Sequence, residues 1–415
     1  MKGIRFTFVL TLLTSAASAD QFHNINQLVG DRAIGLAGAY VAVSDDPAGM
    51  VYNPAGIAFA SSFNISANMN TLQYSQIDYD DVLGGKYDYQ RKSYQLLPSF
   101  FGVIQPLGSW MIGFSSSVTD SVQEKQDQSF EHFGEVEHYV FNLNNLATTY
   151  NVGFTAARRI TDQFSIGFSL PLHYRTTEFI SNQYGVFDSS AANTMEWQNI
   201  YVKTSEQGVR PKIGISWAPV PEVSLGLSIN QTFVLKAKQT EQLARCTTDT
   251  FSTGCNSASV IPIIHTYPDR PNYPMAVRVG GAWFPSNALL ISADAIYHSA
   301  VEQSSEAFTD LEATLDGAMG IEWYWSPKWA LRGGAYTSFA NTPTLNLTDL
   351  AQSPHVDRYG GTLSIARFNK GSSISLGIVG LYGIGKSQLF ADINGLLQDT
   401  RSLNLTAFVT TSYRY

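Results

Sequence analysis

The chain has 415 residues, of which 44% are hydrophobic, 13% aromatic and only 14% charged, with a net charge of -8. The acidic balance argues against a nucleic-acid partner, and the low charge is well under the quarter of residues usual for a soluble globular domain. The two cysteines do not suffice for a disulfide-rich scaffold, and no run of about eighteen apolar residues offers a membrane helix.

Taken in chain order, the first element is an export signal over residues 1–19. Lys2 and Arg5 form a basic start, Phe6 to Leu13 an apolar stretch, and Ala17-Ser18-Ala19 a cleavage site, so the mature chain is expected to begin at Asp20. Residues 20–58 lack any alternation and are rich in small residues: V-G-D-R-A-I-G-L-A-G-A-Y-V-A-V-S-D-D-P-A-G-M-V-Y-N-P-A-G. A short helix is expected over Arg32 to Tyr40. Asp45-Asp46-Pro47 and Asn53-Pro54 read as turn or helix-start signals, with Asp45 and Asp46 as capping or ion-pairing acids. A segment of this kind packs inside something larger, as a plug.

From residue 59 to 415 the pattern changes to apolar-polar alternation of period two, the mark of β-strands with two different faces. Tyr150, Val152, Phe154 and Ala156 alternate with Asn151, Gly153 and Thr155. Leu289, Ile291, Ala293, Ala295 and Tyr297 alternate with Ser292, Asp294 and His298. The last strand ends L-N-L-T-A-F-V-T-T-S-Y-R-Y, on an aromatic residue. Six tight turns, such as Pro106-Leu107-Gly108, Ser326-Pro327-Lys328 and Asn369-Lys370-Gly371, alternate with seven polar stretches near residues 78–90, 120–138, 181–200, 239–273, 302–312, 340–357 and 386–399. That arithmetic predicts an all-β membrane protein: a monomeric fourteen-stranded antiparallel barrel in the bacterial outer membrane. Turns and both termini face the periplasm, long loops face outside, and the apolar face meets lipid and lipopolysaccharide. Trp323, Trp325 and Trp329 around one tight turn read as girdle aromatics.

Strand parity puts Arg210, Lys212, Arg278, Arg332 and Arg358 inside the lumen, along with Asp294, Glu322 and Tyr324. Such cations either pair with lumen acids, as Arg332 could with Glu322, or meet an anionic ligand. Cys246 and Cys255, in a polar stretch of the longest loop, are expected to form a disulfide; a metal pair there lacks further ligands. No cofactor, metal or catalytic motif is expected. His173, His298 and Ser292 are the residues an outer-membrane phospholipase reading would use, and no motif joins them.

The run G-D-R-A-x-x-x-A-G-A-x-V-A-x-S-D-D-x-x-x-x-x-x-N-P-A-G resembles the N-terminal hatch of FadL-type long-chain fatty acid transporters, the family that includes the TodX-type hydrocarbon transporters. The later P-N-Y-P-M-A-V-R-V-G-G-A-W-F-P-S-N-A-L-L-I-S-A-D-A-I-Y-H resembles their barrel strands. The resemblance implies a fourteen-stranded barrel plugged by its N-terminus, with passive uptake of long-chain fatty acids or other hydrophobic compounds. Asn53, Pro54, Ala55, Asp45 and Asp46 fall on its hatch positions. The expected start, Asp20-Gln21-Phe22-His23-Asn24, departs from the Gly-Phe-Gln-Leu of the family's fatty acid transporters. Similar hatch runs also occur in barrels of secretion or surface attachment, so a structural or adhesive barrel is the alternative.

Overall fold

The structure is a computed structural model that describes residues 22–60, 63–82, 87–133, 136–187, 194–248, 263–305, 308–347, 349, 352–389 and 397–414. The export signal and Cys255 lie outside the described residues. Seventeen strand segments follow the N-terminal segment: β1 (Asn64–Asp81), β2 (Tyr87–Leu107), β3 (Trp110–Phe133), β4 (Val136–Arg159), β5 (Phe164–Phe187), β6 (Thr194–Val209), β7 (Lys212–Val220), β8 (Val223–Asn230) and β9 (Phe233–Thr248). Then come β10 (Ile263–Tyr267), β11 (Ala276–Ser286), β12 (Leu289–His298), β13 (Thr314–Ser326), β14 (Trp329–Ser338), β15 (His355–Asn369), β16 (Ser372–Ser387) and β17 (Gln398–Arg414).

These segments make fourteen strands. β5 pairs with β7 through Phe164–Ser169 and with β6 from Leu172 onward, so β6 and β7 are two halves of one strand. The same holds for β8 with β9, which pair with β7 and β6, and for β10 with β11, which pair with β9 and β8. β17 pairs with β1 from Asn64↔Arg414 to Tyr79↔Thr400, which closes the sheet. Among the described residues no helix is long and apolar enough to cross a membrane, and the closed ladder is the other solution that satisfies every backbone group in lipid.

Alternation sets the two faces. On β5, Ile166, Phe168, Leu170, Leu172 and Tyr174 stand outward and exposed, while Ser165, Ser169, His173 and Arg175 point inward and are buried. From Ile166 to Tyr174 is roughly 27 Å at 3.3 Å per residue, which matches an apolar band about 25 Å tall. The strands run well past this band. β3, β4 and β5 each have 24 residues, where about ten suffice to cross. Much of the polar sequence expected as loops near residues 78–90, 120–138, 181–200 and 239–273 is therefore strand. The reason is an interior core beyond the band, where Tyr79, Tyr89, Phe130, Tyr139, Phe141 and Phe179 pack together and hold the ladders closed while the outer face stays polar.

Residues 22–60 lie inside this wall. Only Asp31–Gly35 (α1) and Gly49–Tyr52 (α2) are helical, with a 3-10 turn at Gly56–Phe59. The helix expected over Arg32 to Tyr40 stops early because Ala37 and Gly38 take positive φ (54° and 81°), with the Gly38 N–H donating back to the Ala33 carbonyl. Hydrogen bonds then tie the segment around the circumference. Gly35 O accepts from Thr362, the Tyr40 and Val41 N–H groups donate to Asp294, and Ala42 O and Tyr52 O accept from Ser224 and Ser228. Asn53 is fully buried: its Nδ2 donates to Val41 O and Ile215 O, both at 2.9 Å, and its Oδ1 accepts from the Ala55 N–H at 3.1 Å. The wall residue opposite is Gly214, where any Cβ would sit 2.0 Å from Asn53 Oδ1.

Asn53→Ala removes all three bonds and leaves the Ile215 carbonyl facing an apolar side chain. Losing a buried partner costs about 1–3 kcal/mol. Hydrogen exchange should therefore speed up at the amides of residues 41–56 by tenfold or more on that scale, while exchange in β4 and β5 and heat-modifiable gel migration stay as in the parent.

Candidate functional site

Among the described residues, internal cavities of about 200 and 240 Å³ lie between the plug and the wall. Phe22, His23, Asn26, Gln27 and Leu28 line both, so the first residues of the plug form a partition between them.

The first cavity gathers three of the five predicted cations, Arg210, Lys212 and Arg278. Arg210 Nε donates to Asn230 Oδ1 at 3.1 Å, and the Arg278 guanidinium lies over the Tyr52 ring at 5.8 Å. Lys212 is buried and makes no hydrogen bond to a described residue. None of the three has an ion pair among the described residues. Asp294, within electrostatic range of Arg278, is turned to the plug backbone of Tyr40 and Val41. The cavity also carries the apolar side chains Ile25, Leu28, Ile296 and Tyr336, with Ile296 the cross-strand neighbour of Arg278.

The wall is interrupted beside this cavity. β6 gives way to β7 at Arg210-Pro211, where proline removes a ladder donor. β8 gives way to β9 at Gln231-Thr232. β10 and β11 are separated by Pro268-Asp269-Arg270-Pro271-Asn272-Tyr273-Pro274-Met275. Side chains stand in for the missing ladder: Gln231 Nε2 donates to Tyr273 O, and Arg270 donates to Leu235 O, both at 3.2 Å. Tyr273 turns inward, giving its hydroxyl proton to Glu206 at 2.7 Å and accepting from Arg175 at 3.2 Å, with its ring edge-on to His173. Glu206, Arg175 and Tyr273 were not singled out from the sequence; the three prolines of residues 268–274 were the available signal that a strand must break there.

The second cavity contains Arg358 and the Arg91–Glu124 pair, 3.9 Å apart. It too lies beside a seam. β2 pairs with β3 only through Phe100↔Ser117 to Leu107↔Trp110, and past that point Gln95 bridges to the Ser121 carbonyl at 3.0 Å.

Arg332, the fifth predicted cation, is engaged elsewhere. It lies in a chain of alternating charge that is buried from Asp31 to Glu322 and open at Asp45: Asp45–Arg32 at 3.1 Å, Arg32–Glu322 at 2.6 Å, Glu322–Arg332 at 2.7 Å and Arg332–Asp31 at 3.0 Å. Asp45 thus pairs rather than caps. Asp46 accepts from the Ala48 N–H at 2.8 Å, at the entry to α2. Asn53, Pro54, Ala55, Asp45 and Asp46 line neither cavity and instead seat the plug below them; Ala55 O accepts from Ser165 at 2.8 Å. His173 and His298 both line the first cavity, but Ser292 does not. Cys246, near the end of β9, is disulfide-bonded.

No family model and no curated protein sequence matches the chain. Solved structures do match in fold. A FadL homologue of Pseudomonas aeruginosa aligns with a TM-score of 0.64 at 15% identity, covering 94% of this chain and 99% of that one. The toluene transporter TodX of P. putida aligns at 0.61 with 13% identity (92% and 97%), and the toluene transporter TbuX of Ralstonia pickettii at 0.60 with 14% identity (94% and 99%). The chain has the fold of the FadL- and TodX-type transmembrane barrels.

Burial raises the half-buried Asp46 carboxyl from its ordinary 3.8 to about 6, and the charge of neighbouring Asp45 adds to the effect. The folded plug therefore holds this proton more tightly than the unfolded chain does. Its contribution is most favourable below the unfolded value and is lost as pH rises through about 6. Hydrogen exchange of residues 40–52 should become faster between pH 4 and 7, after correction for intrinsic rates, and Asp46→Asn should flatten that dependence.

Proposed function

We propose that the chain is a bacterial outer-membrane transporter for passive uptake of hydrophobic molecules, and that its cargo is a long-chain fatty acid. The observation that carries the cargo reading is the cluster of Arg210, Lys212 and Arg278 without a described ion-pair partner in a half-apolar cavity. Buried cations repel one another strongly where the dielectric is low, and a group of three calls for an anion. An anion joined to an apolar chain suits a cavity lined by both cations and apolar side chains. An uncharged hydrocarbon would leave the cations uncompensated. Two internal cavities also favour transport over a structural or adhesive barrel, which needs none.

In this reading the cargo enters the second cavity and passes the Phe22–Leu28 partition. It is held by its carboxylate in the first cavity, and the seams in the wall and the gaps beside the plug are its ways out. The charge chain from Asp45 to Asp31 keeps the plug seated meanwhile, so that the partition moves and the plug body does not.

Palmitate binding to the detergent-purified barrel should weaken by at least about tenfold, or 1.4 kcal/mol, in Lys212→Met combined with Arg278→Met. Toluene, a probe without charge, should bind parent and variant alike, and methyl palmitate should bind the parent no better than palmitate binds the variant. Equal binding of acid and methyl ester by the parent would remove the carboxylate reading.

A further inference from the structure

The outer surface of the wall carries a second group of cations, at the loop end of the apolar band. Lys236 and Lys238 on β9 pair across from Gln207 and Ser205 of β6, while the intervening Ala237 and Glu206 are the inward, buried pair. Both lysines therefore face outward, and both are exposed. Lys203 of β6 stands one step further along the same outward row, opposite Thr240. The exposed Arg270 joins them, because its guanidinium donates to the carbonyl of Leu235, next to Lys236.

Acid on this patch is scarce. Glu178 lies 3.8 Å from Lys203, whereas Lys236, Lys238 and Arg270 make no ion pair among the described residues. Some cations elsewhere on the same end of the barrel are matched, Arg401 2.8 Å from Asp80 and Lys386 3.0 Å from Asp399, while the exposed Lys92, Lys125 and Arg245 stand singly on their strands without an ion pair among the described residues. Directly toward the turn end from the patch the wall is apolar and exposed. Phe233 is 47% and Leu235 62% exposed on β9, with Leu172 at 64% and Tyr174 at 42% on β5. A row of unmatched cations above a bare apolar skirt has the profile of an acyl chain ending in an anionic head.

We propose that Lys236, Lys238 and Arg270, with Lys203 at the edge, form a docking site for the phosphorylated headgroup of an outer-leaflet glycolipid, whose acyl chains lie on Phe233 and Leu235. The site rests on the outer-membrane placement above and not on the identity of the cargo. It holds the lipid against the stretch of wall where β6, β8 and β10 are interrupted. The apolar skirt selects a lipid over a free phosphate ion, and the unmatched charge selects a phosphorylated lipid over a zwitterionic one.

Native mass spectrometry of the full barrel in mild detergent tests this with lipid A bisphosphate as probe. The parent should retain it, and Lys236→Gln/Lys238→Gln/Arg270→Gln should lose occupancy at least about fivefold, because cationic contacts to the phosphates are removed. Lys386→Gln/Arg401→Gln, which alters matched cations on the same end, should retain the lipid like the parent. All three substituted side chains of the first variant are exposed, and unchanged heat-modifiable migration establishes that the barrel is intact. Palmitate binding in the inner cavity should be equal in parent and Lys236→Gln/Lys238→Gln, which leaves the Arg270 bond to the Leu235 carbonyl in place, and this separates the site from the transport reading. Equal retention by the triple variant, equal retention of dephosphorylated lipid A or phosphatidylethanolamine by the parent, or displacement by millimolar inorganic phosphate would each overturn the proposal.

Discussion

In a bilayer no water reaches a bare N–H or C=O, so the wall must close on itself before anything else in the molecule can work. The β1–β17 ladder, fifteen paired positions long, is that closure. Once it exists, period-two alternation sends half of all strand side chains inward, including Asp294, Glu322 and Arg332. Those groups are buried and then need partners of their own. The plug supplies them. Its backbone N–H groups at Tyr40 and Val41 satisfy Asp294, and its Asp31 and Arg32 complete the charges of Arg332 and Glu322. The plug is thus a consequence of the closed ladder as much as an obstacle placed in a channel.

The same constraint gives meaning to the places where the ladder fails. The β2–β3 seam and the break at residues 268–275 forgo several backbone bonds, whereas the shorter breaks at Arg210-Pro211 and Gln231-Thr232 keep the Arg210 N–H bond to Pro171 O and the Gln231 N–H bond to Pro211 O. Each is patched by side chains such as Gln95, Gln231 and Arg270, whose bonds can be exchanged without refolding a strand. Each seam also lies beside an internal cavity. A wall built only for stability would have no reason to put its weakest stretches against its two cavities.

Much of this was legible in the sequence, for physical reasons that can be named. Alternation, tight turns and the terminal aromatic fixed strand number and inward parity, because period two admits no other geometry. The plug was legible by contrast, as the one stretch without alternation. Three things were not. Strand length was misjudged because polar residues such as Gln90, Gln128 and Asn182 suit a strand in water as well as a loop, and only the interior aromatic core from Tyr79 to Phe179 decides between them. The helix after Asp31 was overextended because Ala37 takes a left-handed conformation that its identity does not announce. The Glu206–Tyr273–Arg175 group escaped because its members lie on two strands and a strand break, joined only by the fold.

The five lumen cations show most sharply where sequence reading stops. Parity gives Arg332 and Arg278 the same description: inward, on a short strand, in the half of the barrel that holds the plug. What separates them is a partner. Arg332 meets Asp31, 301 positions away along the chain, and Glu322 across one strand pair, so its charge is consumed inside the protein. Arg278 meets the face of Tyr52 and, with Arg210 and Lys212, two further positive charges. A buried ion pair is poor evidence for function, since desolvation cancels most of its attraction and any fold can use one to settle its register. A buried group of like charges is different, because folding alone gives no reason to assemble it and electrostatics gives a reason not to. On the reading proposed above, an anion joined to an apolar chain is what offsets that repulsion.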